Sequence, residues 1–234
     1  MRHENLLHSE LALDGSPSSS IERLGKINLN EQIDVFYKVA KRALDVIGAI
    51  CGLAVLSPLL LIVSVLIKLE SKGPILYTQN RVGKGGQIFK LYKMRSMLVN
   101  ADQLKEQLQK QNEMSGPAFK MKNDPRITKV GRIIRKYSID ELPQLWNVIR
   151  GDMSLVGPRP ALIDEVSQWE SPYFDRLNVP QGLTCIWQTE GRSNTSFENW
   201  MELDLEYVSQ KSFLLDLKLI FKTIKVVING TGAY

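Results

Sequence analysis

The stretch Ala43–Ile67, ALDVIGAICGLAVLSPLLLIVSVLI, decides how this chain is built, and Asp45 is its only charged residue. About 20 apolar residues suffice to cross a bilayer, so the length permits a membrane helix. Two features argue against a simple crossing. Ser57-Pro58 sits near the middle, where proline removes a backbone donor and clashes with the preceding turn, so a break is expected. The flanks are basic on both sides, with Lys38, Lys41 and Arg42 before the segment and Lys68 and Lys72 after it. Basic flanks mark cytoplasmic ends, and here they mark both. An element that enters, turns at Ser57-Pro58 and leaves on the same face satisfies both observations. Each arm, roughly a dozen residues at about 1.5 Å each, is too short to cross alone. The expectation is therefore a re-entrant helix-break-helix over residues 38–72. A kinked ordinary span is the simpler alternative, since membrane helices tolerate proline where freed backbone groups find partners, and Ser57 could supply one. A signal peptide does not fit a segment that starts about forty residues in, with no clear small-residue cleavage site after it.

Outward from this segment, residues 1–37 form a polar tail and lead-in, containing Ser16-Pro17-Ser18-Ser19-Ser20 and ending in the start of a helix. Residues 73–234 are long enough for one substantial cytosolic domain. A net charge of +5 and a pI near 9.1 suit an anionic partner: nucleic acid, phospholipid headgroup or phosphorylated substrate. Composition does not choose among them. Cys51 and Cys185 lie far apart, and both histidines, His3 and His8, are in the tail. They support neither a disulfide framework nor a zinc site, so any metal would be held by carboxylates, which favours magnesium or manganese.

Within the domain, 75–79 and 88–92 read as short strands joined by a hairpin-type turn over 81–86, which lacks phosphate-loop spacing. Helical stretches are expected over 100–113, 128–137 and 140–149, with an irregular loop over 151–160. Phe213–Ile228 carries an apolar stripe of Leu214, Leu217, Phe221, Ile224 and Ile228 beside Lys218, Lys222 and Lys225. It reads equally as an amphipathic helix on an anionic membrane surface or as a helix packed on the core with solvated lysines.

Asp140-Glu141 stands between the basic run from Arg132 to Lys136 and an apolar run. Acidic residues at a helix start commonly cap it and favour the positive end of its dipole. The chemical reading is a nucleophilic carboxylate beside a metal-holding one, with Arg135 balancing phosphate charge. Arg159 lies in Gly157-Pro158-Arg159-Pro160, where flanking prolines aim one guanidinium with little entropic loss, and its planar fork suits phosphate oxygens. Lys93 and Arg95 occupy alternate positions and could share a strand face. Arg192 sits on a glycine turn. Lys41 and Arg42 are placed to meet lipid headgroups, with Asp45 able to pair with either along the helix.

KRALD (41–45), the Ser-Pro-centred arm, FKLYKMRSM (89–97), DPRITKVGRIIRKYSIDELPQLWNVIRGDMSLVGPRP (124–160) and FLLDLKLIFKTIKVV (213–227) follow one another in fixed order. Over residues 38–234 this resembles the bacterial sugar transferase family, the monotopic phosphoglycosyl transferases that start exopolysaccharide and related glycan assembly. The resemblance implies a small α/β cytosolic catalytic domain on a re-entrant membrane helix at the bacterial inner membrane. It also implies transfer of a sugar 1-phosphate from a UDP-sugar to a polyprenyl (undecaprenyl) phosphate, with release of UMP. Asp140 would be the nucleophile, forming an aspartyl-phosphosugar intermediate, and Glu141 would ligate Mg2+. Arg135 and Arg159 would contact phosphates. Lys93, Arg95 and Asp216 fall in blocks of the active-site neighbourhood, and Arg192 in a turn near the nucleotide. Downstream glycosyltransferases are implied partners and nucleic acid is not; homo-oligomerisation stays open. The sugar reads best as a hexose, glucose or galactose, with an N-acetylated or diacetamido sugar as the alternative.

Two departures stand out. The family commonly has a basic residue, then Pro-Gly-Ile/Leu-Thr-Gly before a Trp; here Asn178–Trp187 lacks that residue, inserts Gln181 and replaces the Gly with Cys185. The multi-span N-terminal region of the larger subgroup is absent from residues 1–37. A competing reading is a single-pass membrane protein whose basic domain binds nucleic acid or anionic lipid without catalysis. It leaves the acidic pair among arginines unexplained.

Overall fold

The computed structural model describes residues 17–108, 112–113, 119, 121, 123–190 and 196–229. Residues 1–42 and 43–234 form two compact units. One helix, α1 (Pro17–Glu70), contains the apolar segment. It stays helical through Ser57-Pro58, so the expected break does not occur as an interruption of the helix. The local chemistry explains how. Pro58 has no amide hydrogen to give the Ala54 carbonyl four residues back, and the Ser57 hydroxyl donates to that carbonyl instead at 2.9 Å.

Within the second unit, the apolar part of α1 lies along the domain rather than beside one end of it. Ala49 packs with Leu91, Leu145, Val148 and Met153, whereas Val63 and Ile67 pack with Met94 and Ile134. Polar ties hold both ends. Asp45 Oδ1 accepts from the Ser154 hydroxyl at 3.0 Å and the Leu155 amide at 2.9 Å. Glu70, the last helical residue, accepts from the Lys129 and Val130 amides at 2.7 and 3.0 Å. Asp45, expected beside Lys41 and Arg42 at headgroup level, is 4 % exposed and serves as a docking residue for the helix. Lys41 is likewise buried, while Arg42 is exposed. The other face of α1 leaves Ile47, Ile50, Val55, Leu61, Ile62, Val65, Leu66 and Leu69 uncovered.

Among its described residues the domain is a mixed helix and sheet structure with two small sheets. Strands β1 (Leu76–Val82) and β2 (Ile88–Met94) pair antiparallel, with Tyr77 opposite Lys93, Gln79 opposite Leu91 and Arg81 opposite Phe89. Gly85 and Gly86 carry positive φ in the turn between them. After α2 (Ala101–Leu108) comes the basic α3 (Lys129–Lys136), capped by the Thr128 hydroxyl. A 3₁₀ turn (Ile139–Glu141), α4 (Gln144–Arg150) and β3 (Ser154–Val156) follow. The C-terminal part comprises α5 (Ile163–Val166), a 3₁₀ helix (Ser171–Asn178) and β4 (Gly182–Thr184). It continues with α6 (Ile186–Glu190), α7 (Phe197–Gln210) and α8 (Phe213–Asn229). β4 runs parallel to β3, with Ser154 opposite Gly182.

α8 is apolar on two sides. Leu215, Leu219 and Ile220 face the core with Val156 and Tyr207, while Leu214, Phe221, Ile224 and Ile228 remain exposed.

Candidate active site

Four segments converge on one small polar cleft. The hairpin contributes Arg81, Leu91 and Lys93; the turn into α4 contributes Glu141 and Gln144. The loop after β3 contributes Arg159 and Pro160, and β4 with α6 contributes Gly182, Leu183 and Gln188.

The acidic pair lies not on the first turn of a helix, as expected, but on the 3₁₀ turn. That turn begins from Ser138, whose φ of 52° is left-handed. Pro143 then stands at the N-cap of α4. The two carboxylates consequently meet different surroundings. Glu141 lines the cleft and accepts an ion-paired hydrogen bond from Lys93 Nζ at 2.6 Å. Burial acts to raise it, but the charges of Lys93 and Arg159 and the Lys93 hydrogen bond outweigh burial and hold it below the usual carboxylate value. Asp140 is 7 % exposed and does not itself line the cleft. Its pKa is raised to about 6, chiefly by burial and further by the Glu141 charge, against the opposing pull of Lys93 and Arg135. Two adjacent carboxyls pushed apart in this way are a recurrent sign of a site that moves charge.

Lys93 reaches the cleft because β2 runs to Met94 with its register intact. Arg95 lies one residue beyond the strand and is not brought there. Its guanidinium donates to the carbonyls of Ile67, Ser71 and Lys72 at 3.3, 2.7 and 3.1 Å, closing the C-terminal end of α1. Arg95, expected in the active-site neighbourhood with Lys93, therefore makes a helix-capping contact in this structure. Asp216 is also elsewhere. It is fully buried at the start of α8, and the Tyr207 hydroxyl lies 2.8 Å from its Oδ1 and 3.1 Å from the Val156 carbonyl. Arg135 lies in the last turn of α3, and its charge acts on both Asp140 and Glu141 without lining the cleft. Arg192 lies outside the described residues.

The Gly-Pro-Arg-Pro loop is held by the stretch that departs from the expected pattern. The Gly157 amide donates to the Thr184 carbonyl at 2.9 Å, and the Gly182 amide to the Pro158 carbonyl at 2.8 Å. The strands approach so closely that a Cβ on Gly157 would sit 2.3 Å from the Pro180 carbonyl oxygen, and one on Gly182 would sit 2.1 Å from the Gly157 amide. Gln181 is fully buried, and its Nε2 donates to the Arg176 and Val179 carbonyls at 3.1 Å each. Its backbone carbonyl accepts from Ser154. The inserted residue is therefore part of the scaffold beneath Arg159. Cys185 is buried, and its thiol, raised well above its usual pKa by burial, donates to Gln188 Oε1 at 3.2 Å.

Sequence reasoning missed four participants. Arg81 falls in the expected turn over 81–86, yet β1 extends to Val82; the alternation of Tyr77, Gln79 and Arg81 is the signal that places it on the strand. Gln144 and Gln188 carry no pattern that marks them. Asn147, fully buried on α4, accepts from the Tyr92 amide at 3.1 Å and donates to the Lys90 carbonyl at 2.7 Å, which fastens α4 to β2.

The described bacterial sugar transferase family matches residues 36–230. A galactosyl transferase, CpsE, of Streptococcus agalactiae is 47 % identical over 85 % of this chain, which spans 45 % of that protein's length. The exopolysaccharide production protein ExoY of Sinorhizobium fredii is 42 % identical over 84 % of this chain and 88 % of its own length. The undecaprenyl-phosphate galactose phosphotransferase of Salmonella typhimurium is 40 % identical over 83 % of this chain and 41 % of its own. A membrane-competent apolar helix and a small domain with a carboxylate and arginine cleft agree with these likenesses. The chain belongs to the bacterial sugar transferase family. It is a transferase, spanning under half the length of its larger relatives and most of the smaller ones.

Proposed function

We propose that this chain transfers a hexose 1-phosphate from a UDP-sugar to undecaprenyl phosphate, releasing UMP, as the first membrane step of exopolysaccharide or related glycan synthesis. The observation that carries this reading is the unequal acidic pair, Asp140 and Glu141, set among Lys93, Arg135 and Arg159. Attack by one anion on a diphosphate is electrostatically uphill, so a cleft that concentrates cations beside a carboxylate suits phosphoryl transfer. The names of the galactose-linked relatives favour a galacto-configured hexose.

In the first step an Asp140 carboxylate oxygen bonds to the sugar-bearing phosphorus, and the bond from that phosphorus to the bridging oxygen breaks, with UMP leaving. In the second, an oxygen of undecaprenyl phosphate attacks the same phosphorus. The acyl-phosphate bond breaks, Asp140 returns as carboxylate, and the lipid diphosphosugar leaves. Splitting the transfer lets one site handle a soluble donor and then a lipid acceptor. Arg159 and Arg135 supply positive charge to the phosphoryl oxygens, and Lys93 holds Glu141 in place.

No cluster of three or more His, Cys, Asp or Glu is present among the described residues. Mg2+ needs none, because one or two carboxylates with substrate phosphates and water suffice. Glu141, with one oxygen engaged by Lys93, fits that requirement beside Asp140. The ion would supply neutralisation of diphosphate charge.

The apolar part of α1 is read as lying in the cytoplasmic leaflet of the inner membrane without crossing it, since the helix runs unbroken through Ser57-Pro58, with the domain in the cytosol. Its packing supports this reading. From Asp45 to Glu70, about 38 Å of helix at about 1.5 Å per residue, it touches the polar domain at both ends. A crossing helix would carry that domain into hydrocarbon about 30 Å thick. The exposed stripe of α8 would lie on the same surface, which raises the effective concentration of lipid acceptor.

The test is UMP release in lipid nanodiscs with UDP-galactose, UDP-glucose and UDP-N-acetylgalactosamine, with and without undecaprenyl phosphate and magnesium. Release that requires the lipid, magnesium and Asp140 is expected. Folded protein that turns over none of these donors sinks the reading.

A further inference from the structure

Arg81 is 7 % exposed, at the inner end of β1. Its Nη1 donates to the Pro160 carbonyl at 3.1 Å and its Nη2 to Gln79 Oε1 at 2.8 Å, while its buried Nε has no hydrogen-bond partner among the described residues. The next residue continues the grip: the Val82 amide donates to the Ala161 carbonyl at 3.0 Å. The end of β1 thus clamps the two residues that follow Arg159, on the opposite side of the loop from the Gly157–Gly182 contact. Arg81 and Arg159 also line the same cleft.

This arrangement is costly unless something else enters. Burial and the neighbouring Arg159 charge lower Arg81 to about 10 against the weaker opposing pull of Glu165, Tyr77 and Glu141, so it stays protonated at neutral pH, beside a second guanidinium and with no salt bridge among the described residues. A neutral donor could hold the Pro160 carbonyl without that penalty. Among the described residues, the cleft lining carries Arg81, Arg159 and Lys93 against the single carboxylate Glu141, which Lys93 already engages. A phosphate-rich anion would repay the surplus.

We infer that Arg81 is a positioning residue that fixes the Arg159 loop through Pro160 and supplies the fixed second charge of a two-guanidinium seat for a diphosphate. The inference rests on the proposed donor, since a UDP-sugar brings such an anion. Its two parts separate by chemistry. Holding the loop needs a hydrogen-bond donor, whereas seating the anion needs charge.

The test measures binding of UMP and of inorganic pyrophosphate to the wild type, Arg81→Lys and Arg81→Gln in nanodiscs, at several salt concentrations, with thermal melting of each. Arg81→Gln is expected to weaken pyrophosphate binding by about tenfold or more and to flatten its salt dependence. Arg81→Lys is expected to stay within about threefold of the wild type, because charge is kept. Unchanged binding in Arg81→Gln overturns the inference. Equal losses in both variants reduce Arg81 to a structural prop and overturn the charged seat. Wild-type protein that binds neither anion overturns it as well. Wild-type protein that binds both but releases no UMP from any UDP-sugar sinks the proposed reaction alone.

Discussion

Ser138 takes a left-handed backbone conformation, and the 3₁₀ turn it starts gives two neighbouring carboxylates different surroundings. Asp140 is raised from 3.8 to about 6, so the folded chain holds a proton there at a pH where the unfolded chain has lost it. The group's contribution to stability therefore rises as pH falls from about 6 toward 4, and at neutral pH its burial as an anion is a cost. Asp140→Asn is expected to abolish UMP release while raising stability at pH 7.5 by about 1–3 kcal/mol, read from denaturant unfolding. In the wild type, the donor half-reaction is expected to lose rate with a single-proton slope below about pH 6, as Asp140 takes up its proton. Glu141 sits below the usual carboxylate value, so it remains charged through that window. Glu141→Gln is expected to shift the magnesium titration to higher concentration, checked by UMP release across the titration. At this scale the acidic pair and Arg159 were legible, since composition around them is unusual. Lys93 and Arg95 were not separable, because the alternation that equates them ends with the strand at Met94.

Helix α1 keeps its hydrogen bonding through Pro58 because Ser57 answers the carbonyl that proline abandons. The sequence correctly marked this pair as special; it does not say whether the chain there turns or merely accommodates the proline. α4 is fastened to β2 by Asn147, whose side chain bonds both flanks of Leu91 and also donates to Asp152 Oδ2 at 3.0 Å. Asn147→Ala is expected to cost about 2–4 kcal/mol, since it leaves buried backbone groups unpaired, and to loosen Lys93 from Glu141. Equilibrium unfolding together with donor kcat/KM checks both effects. A lone asparagine in an apolar helix carries no mark in sequence, so this tie was invisible. The same holds for Arg95, whose duty at the end of α1 depends on carbonyls more than twenty residues away in the chain.

The whole molecule depends on a long apolar helix docked along a polar domain. If α1 lies in one leaflet without crossing, single cysteines replacing Lys38 and Lys72 should both react with an impermeant maleimide in inverted vesicles and neither in intact spheroplasts. One reactive position in each preparation would instead mean a crossing. The Arg159 loop is backed by a buried pair, Arg176 and Asp204, with Arg176 donating to the Arg159 carbonyl at 2.9 Å and lying 4.8 Å over the Trp169 ring. Asp204 is raised to about 6, mainly by burial and against the pull of Arg176. Arg176→Met is expected to destabilise by about 3–5 kcal/mol by leaving that carboxylate unpaired, measured by denaturant unfolding.

Local order in the sequence was enough to determine the membrane-competent segment, the hairpin, the basic helix before Asp140-Glu141 and the rigid Arg159 loop. Each of these is written in residues close together in the chain, as apolar length, strand alternation, or proline and glycine at fixed offsets. Only the tertiary structure decided that Asp45 docks on Ser154 and Leu155, that Arg95 caps α1, and that Gln181 is a strut. It alone also brought Arg81 across the chain to Arg159. The reason is physical: a charged side chain's role is set by which distant backbone groups burial leaves without partners, and periodicity within one segment carries no record of those.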